Sequence, residues 1–204
     1  SKKDISNIIY NRIVDNNYGA VIQNINSKEI IKKINWPIYD INSDETYGLS
    51  LNFSRLNRLR PGYGYSCFDD LSFSDKSPSN DGIFLIDILK NKSKLILKLN
   101  YLSKIDPHQS MIDADHYINH ISWNPSGNRF LFFHLWSNPK RRYSRLFTCD
   151  KNGEDLFLLE NSENVSHYSW KNDEEIIMTT HSKKQGVRYS IYHDNTNKRE
   201  IIAE

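Results

Sequence analysis

Four histidines in the second half of the chain recur at matched distances, and imidazole is the side chain best suited to acid–base work or metal ligation near neutral pH. His120-Ile121-Ser122-Trp123 aligns with His167-Tyr168-Ser169-Trp170, 47 residues further on, and a second matched pair, His134 and His181, follows each Trp by eleven residues. If the two segments occupy equivalent places in neighbouring structural units, their rings converge and can hold a borderline cation or act as acid and base. His116 stands just before the series. The same repetition also has a structural reading, in which a His beside a repeated Trp makes a hydrogen bond between adjacent units. His120 and His167 are the expected metal ligands, because they open the strands expected nearest the centre.

Two arginine-rich, aromatic segments are the other chemical feature. Arg55, Arg58, Arg60, Tyr63 and Tyr65 surround Pro61-Gly62 and Gly64 inside a stretch from Phe53 to Gly82 that reads as a long loop. Trp136, Arg141, Arg142 and Tyr143 follow His134 in a second segment. Arginine recognises carboxylates through two parallel N–H bonds, and aromatic faces stack on sugar rings, so an acidic oligosaccharide or polysaccharide is the expected partner. The alternative is a solvated basic surface. Such a rim can also hold single-stranded nucleic acid, but a formal net charge of +2 argues against that partner. Asp69, Asp70, Asp113 and Asp115 read as solvated turn residues. There is no Gly-rich phosphate loop and no nucleophile-elbow serine, and Cys67 and Cys149 form no zinc-type pair.

The elements that position these residues are strands. Aromatic residues make up 12% of the 204 residues, with 12 Tyr, a composition that suits a pleated, half-buried surface. Around the repeat, apolar runs flank turn residues at Asn124-Pro125-Ser126-Gly127 and Lys171-Asn172-Asp173-Glu174, and each pair is followed by a second hairpin, across Lys151-Asn152-Gly153 and Asn195-Thr196-Asn197. Similar hairpins run over 83–97 and 18–34. The fold class is therefore all-β: a β-propeller of four-stranded antiparallel blades, with a hairpin at 18–34 and blades at about 36–99, 117–160 and 164–204. An antiparallel sandwich is the alternative, disfavoured by the fixed alternation of hairpins. About three and a half blades do not close a ring. Part of a larger propeller is expected, completed by blades outside this chain, by self-association, or in part by a strand from Asp4 to Val14. No apolar run is long enough to cross a membrane as a helix, and the compartment stays open.

The runs "NHISWNPSGNRFLFFHLW", "RRYSRLFTCDKNGEDLFLL" and "VSHYSWKNDEEII" resemble oligogalacturonate-lyase-like propellers, within the wider group of TolB-like and WD40-like propellers. The resemblance covers about residues 36–204. It implies a metal-assisted polysaccharide lyase, in which manganese neutralises a uronate carboxylate and an Arg and a His beside the metal carry the β-elimination. On that pattern His120, His167 and Asn164 are the metal ligands, His134 and Arg58 the catalytic pair, and Arg60 a substrate clamp. Asn164 and Ser169 stand where the family has Gln and His, so the ligand set is thinner here. A non-catalytic propeller binding a glycan or protein, with structural histidines, is the alternative.

Overall fold

Turn chemistry repeats along this chain with little variation. Asn42, Asn124 and Asn172 each sit where one strand ends, and the side-chain oxygen of each accepts two backbone N–H groups of the turn ahead: Thr46 and Tyr47, Asn128 and Arg129, and Glu174 and Glu175. An Asn that supplies its own backbone with acceptors in this way folds the chain back as a hairpin. The computed structural model describes residues 6–139, 141–182 and 186–203. Those hairpins build four antiparallel sheets, each a simple meander.

The first sheet holds β1 (Asn7–Val14), β2 (Asn17–Asn24) and β3 (Ile30–Ile34). The second runs β4 (Asp40–Ile41), β5 (Tyr47–Ser50), β6 (Gly82–Asp87), β7 (Lys92–Lys98). The third runs β8 (Asp115–Trp123), β9 (Arg129–Ser137), β10 (Arg142–Asp150), β11 (Phe157–Glu160), and the fourth β12 (Val165–Trp170), β13 (Glu175–Ser182), β14 (Gly186–His193), β15 (Arg199–Ala203). The chain thus has three complete blades and three strands of a further one among the described residues, rather than a half blade. β1 joins β2 through Asp15-Asn16, both with positive φ (48° and 64°), the signature of a tight primed turn. Because β3 leads straight to β4, as β7 leads to β8 and β11 to β12, β3 takes the outermost place. The innermost place of this sheet is the one without a strand among the described residues. Among them, too, no helix is long and apolar enough to cross a membrane.

The third sheet is the centre of the molecule. Residues Phe130 to Trp136 of β9 are all buried, so both faces of that strand are covered, as they must be for a blade between two others. Phe132 stacks on Phe147 at 5.5 Å, and Trp123 meets Phe130 edge to face. The main core joins the second, third and fourth sheets, and a smaller cluster of Ala20, Ile34, Ile86 and Ile88 joins the first and second.

The stretch 53–81 is not a uniform loop. It begins with helix α1 (Phe53–Leu59), capped by Asn52, whose side chain accepts from the Arg55 N–H at 2.9 Å. Phe53 and Leu56, three residues apart, bury one face of the helix.

Behind the third sheet runs a buried chain of donors. Arg145 Nε donates to His134 Nδ1 at 3.1 Å, which makes His134 Nε2 the donor to His116 Nδ1 at 2.9 Å, and His116 donates onward to the Met111 carbonyl. Both imidazoles are neutral in the fold, and burial lowers the pKa of His116 to about 4. An unfolded His takes its proton near pH 6.5, so between that pH and about 4 the unfolded chain binds more protons and stability falls as the pH falls. At about 1.4 kcal/mol per pH unit, this window is worth about 3 kcal/mol for His116. Melting temperature should therefore drop steeply between pH 6.5 and 4.5; a flat profile there is the contrary result.

Candidate functional site

His120 and His167 occupy the same backbone irregularity in adjacent blades. β8 carries a bulge between Asn119 and Ser122, and β12 one between Ser166 and Tyr168. At these points His120 and His167 take positive φ, 53° and 35°. A bulge re-aims a side chain out of the regular alternation of a strand, and His tolerates this backbone better than a β-branched residue does. Here both rings turn into a cleft of about 520 Å³ between the inner strands of the third and fourth sheets.

Besides His120 of β8, the cleft is built from four sources. Arg60 and Tyr63 come from the segment after α1, Phe133 and Leu135 from β9, Arg142, Tyr143 and Ser144 from β10, and Asn164 to His167 with His181 from the fourth sheet and its entry. No lining residue is an Asp or Glu. The Arg60 guanidinium lies 3.8 Å from the centre of the Tyr63 ring, and the Arg141 guanidinium lies 4.3 Å from that of Tyr143, which stacks on Trp136 at 5.6 Å. Two arginine-capped tyrosines thus flank the opening. The His120 ring stacks on Phe133 at 5.1 Å, and burial first, then the charge of Arg60, lowers its pKa to about 4. It is a neutral imidazole at pH 7.

The structure brings together Arg60, Tyr63, Arg142, Tyr143, His120, His167, His181 and Asn164 of the residues singled out in the sequence. It takes several others elsewhere. His134 is fully buried within the Arg145–His134–His116 chain and cannot reach a solute, so its expected catalytic role is corrected to a structural one. The reason is strand alternation: Phe133 and Leu135 face the cleft, and the residue between them faces the other way. Arg55 is only 1% exposed; it donates to the carbonyls of His116, Ser72 and Lys76 and lies 3.7 Å from Asp70 and 3.8 Å from Asp115. Arg58 bonds Asp70 at 2.9 Å and Asp115 at 3.3 Å, beneath the ring of Phe73. These arginines pin the inserted segment to the third sheet, and Asp70, only 2% exposed in its side chain, is an ion-pair partner rather than a solvated turn acid. Tyr65 stacks on Phe53 at 4.5 Å, and its hydroxyl accepts from Asn11. Trp136 is fully buried and donates to Ser110 at 3.0 Å; Arg141 reaches the cleft only through Tyr143.

Sequence reasoning missed Tyr117, Phe133 and Leu135. The Tyr117 hydroxyl is buried with no acceptor for its proton among the described residues, and the Arg142 guanidinium, a donor only, lies against its oxygen with Arg60 beyond. The signal was available in the register, since Tyr117 pairs with Leu135 and Leu135 with Ser144 across β8, β9 and β10, on one face of the sheet.

Solved structures with this arrangement of sheets include TolB from Acinetobacter baumannii, with a TM-score of 0.50 and 14% identity over 98% of this chain and 41% of that one. The fold is that of a β-propeller. Acylaminoacyl peptidase from Pyrococcus horikoshii (TM-score 0.58, 14% identity, 98% of this chain and 31% of that one) and an acylaminoacyl peptidase in complex with Z-Gly-Gly-Phe-chloromethyl ketone (0.57, 13%, 99% and 31%) are also similar. The chain therefore spans well under half the length of these propeller-containing proteins. At such identities the likeness carries the fold alone. No protein-family model and no curated protein matches the sequence.

Arg55 and Arg60, five residues apart, should behave in opposite ways. Arg55→Ala takes a cation from the buried Asp70 side chain and a donor from the buried His116 carbonyl and from the carbonyls of Ser72 and Lys76, and should cost about 3–5 kcal/mol. Arg60→Lys should stay within about 0.5 kcal/mol, as for an ordinary surface change. Urea unfolding of the two variants measures both; equal losses would contradict the assignment.

Proposed function

We propose that this propeller binds an acidic oligosaccharide, with the carboxylate of a uronic acid unit seated in the cleft between the third and fourth sheets. The observation that carries this reading is the cleft's one-sided chemistry. Two arginines, three histidines and two tyrosines line it, and no carboxylate does. Unpaired guanidinium groups in a concave site favour an anion, and the planar fork of Arg matches a carboxylate. The tyrosine faces supply stacking area for a sugar ring.

Manganese-assisted elimination receives less support from this set of residues. Among the described residues no group of three His, Cys, Asp or Glu side chains is close enough to hold an ion. His120, His167 and Asn164 share their cleft with Arg60 and Arg142, whose charges oppose a cation. His134, the base that elimination calls for on the lyase pattern, is sealed from solvent. These residues therefore favour binding over bond cleavage.

Titration calorimetry with trigalacturonate, its methyl ester and a neutral trisaccharide tests it. The acid should bind and the ester and neutral sugar should bind much more weakly. Arg60→Ala and Arg142→Ala should each weaken the acid by about 1–3 kcal/mol without changing melting temperature. Affinity should also fall with added salt. Equal binding of acid and ester would sink the proposal, and saturable manganese binding lost in His120→Ala would restore the lyase reading.

A further inference from the structure

We infer that Tyr117 is the specificity-determining residue of the cleft, a buried hydroxyl whose proton is left for an anionic ligand to accept. This deepens the acidic-oligosaccharide reading and rests on it. Tyr117 is 1% exposed; the Arg142 guanidinium lies at the margin of donating to its oxygen, and the hydroxyl proton has no acceptor among the described residues. A buried polar atom without a partner is uncommon and costly, and asks for a reason. Its surroundings offer one. Arg142 and Arg60 are the charges nearest to the hydroxyl, and both line the cleft. Both are donors only, so neither can accept the tyrosine proton.

A second orphan lies three residues along the same strand. His120 Nδ1 is buried and unpartnered, and the same ring lines the cleft. A neutral imidazole can carry its proton on Nδ1 and offer a donor there. Tyr117, His120, Arg60 and Arg142 thus make a donor set with no carboxylate among the described residues that line the cleft. An ionised carboxylate is acceptor-only and can take up to four such bonds. A methyl ester keeps the shape but loses both the charge and most of this accepting capacity. Arg142 is exposed, so its side chain can leave the Tyr117 hydroxyl, turn towards an entering anion and open the path between them.

Tyr117→Phe removes the hydroxyl and nothing else. Loss of a hydrogen bond to a charged group should weaken trigalacturonate binding by about 10- to 100-fold, while the methyl ester, weak already, changes little. Melting temperature should stay level or rise, because the variant no longer buries an unsatisfied hydroxyl. On the wild-type chain, saturation with trigalacturonate should bring out a slowly exchanging tyrosine hydroxyl proton in the NMR spectrum, a readout that needs no substitution. If the variant binds the acid as tightly as wild type, or no such proton appears, the Tyr117 assignment is overturned and the saccharide reading stands. Inorganic phosphate serves as the second probe. Binding of phosphate but not of trigalacturonate, lost in Tyr117→Phe, keeps the anion-reading hydroxyl and removes the saccharide. Binding of neither probe by wild type removes both.

Discussion

Across the seam between the second and third sheets, the Trp123 backbone N–H donates to Asp40 at 2.8 Å, and the Tyr39 hydroxyl donates to Asn119 at 2.9 Å. Across the next seam, the Tyr168 hydroxyl donates to the His120 carbonyl at 2.7 Å and the Trp170 indole to the Ser122 carbonyl at 3.2 Å. The innermost strands have no hydrogen-bonding neighbour on their inner side within their own sheets, and the bulges leave further backbone groups unpaired. Side chains from the adjoining blade take up several of these groups, which would otherwise be buried at a cost of about 1–3 kcal/mol each. Further out, Arg129 of the third sheet bonds Asp194 of the fourth at 2.6 Å and Asp155 of its own sheet at the same distance. Polar locks at the inner and outer ends of the seam, with apolar packing between, set how adjacent blades stand. The cleft is a consequence of that setting.

The bulges matter for the same reason. In a regular strand, His120 and His167 would follow the alternation of their neighbours. Each bulge shifts the register by one residue and turns the ring into the space between blades. Tyr168, one residue past its bulge, reaches back to the carbonyl of His120, so the position that presents one imidazole also ties down the other. The repeated His-x-Ser-Trp is thus a structural joint between blades whose two imidazoles also line the cleft.

The strand order was legible because turn chemistry and the 47-residue offset are local signals that tertiary packing did not override. The α1 helix was not read, since seven residues with two arginines between a strand and the Pro61-Gly62 turn resemble a loop. Its cue is the Asn52 cap with Phe53 and Leu56 behind it. For the cleft, the matched positions of His120 and His167 in adjacent blades pointed to their convergence, and Arg142 of the second arginine-rich segment joins them. His134 was misread because equivalence between blades says nothing about which face of a strand a residue occupies. The face follows from the register of Phe133 and Leu135, and His181, its partner in the repeat, does reach the cleft. The Tyr117 hydroxyl could not be found from residue type at all. An orphaned polar atom is a property of packing.

The arginines show how far residue type alone carries an argument. Arg55, Arg58 and Arg60 lie within six residues of one another and carry the same guanidinium. Asp70 and Asp115 meet the first two, and burial beside those carboxylates turns them into fasteners for the inserted segment. Arg60 lies past the end of α1, stacks on Tyr63 and finds no acid in its cleft. A charge met by its opposite within the protein is spent on stability, and a charge left beside aromatic faces in a concave site stays free for a ligand. The fasteners are also a condition for the free charge, because without them the segment would not hold Arg60 and Tyr63 over His120. Buried ion pairs and an open guanidinium are therefore divided along one short stretch of chain by the positions of two aspartates.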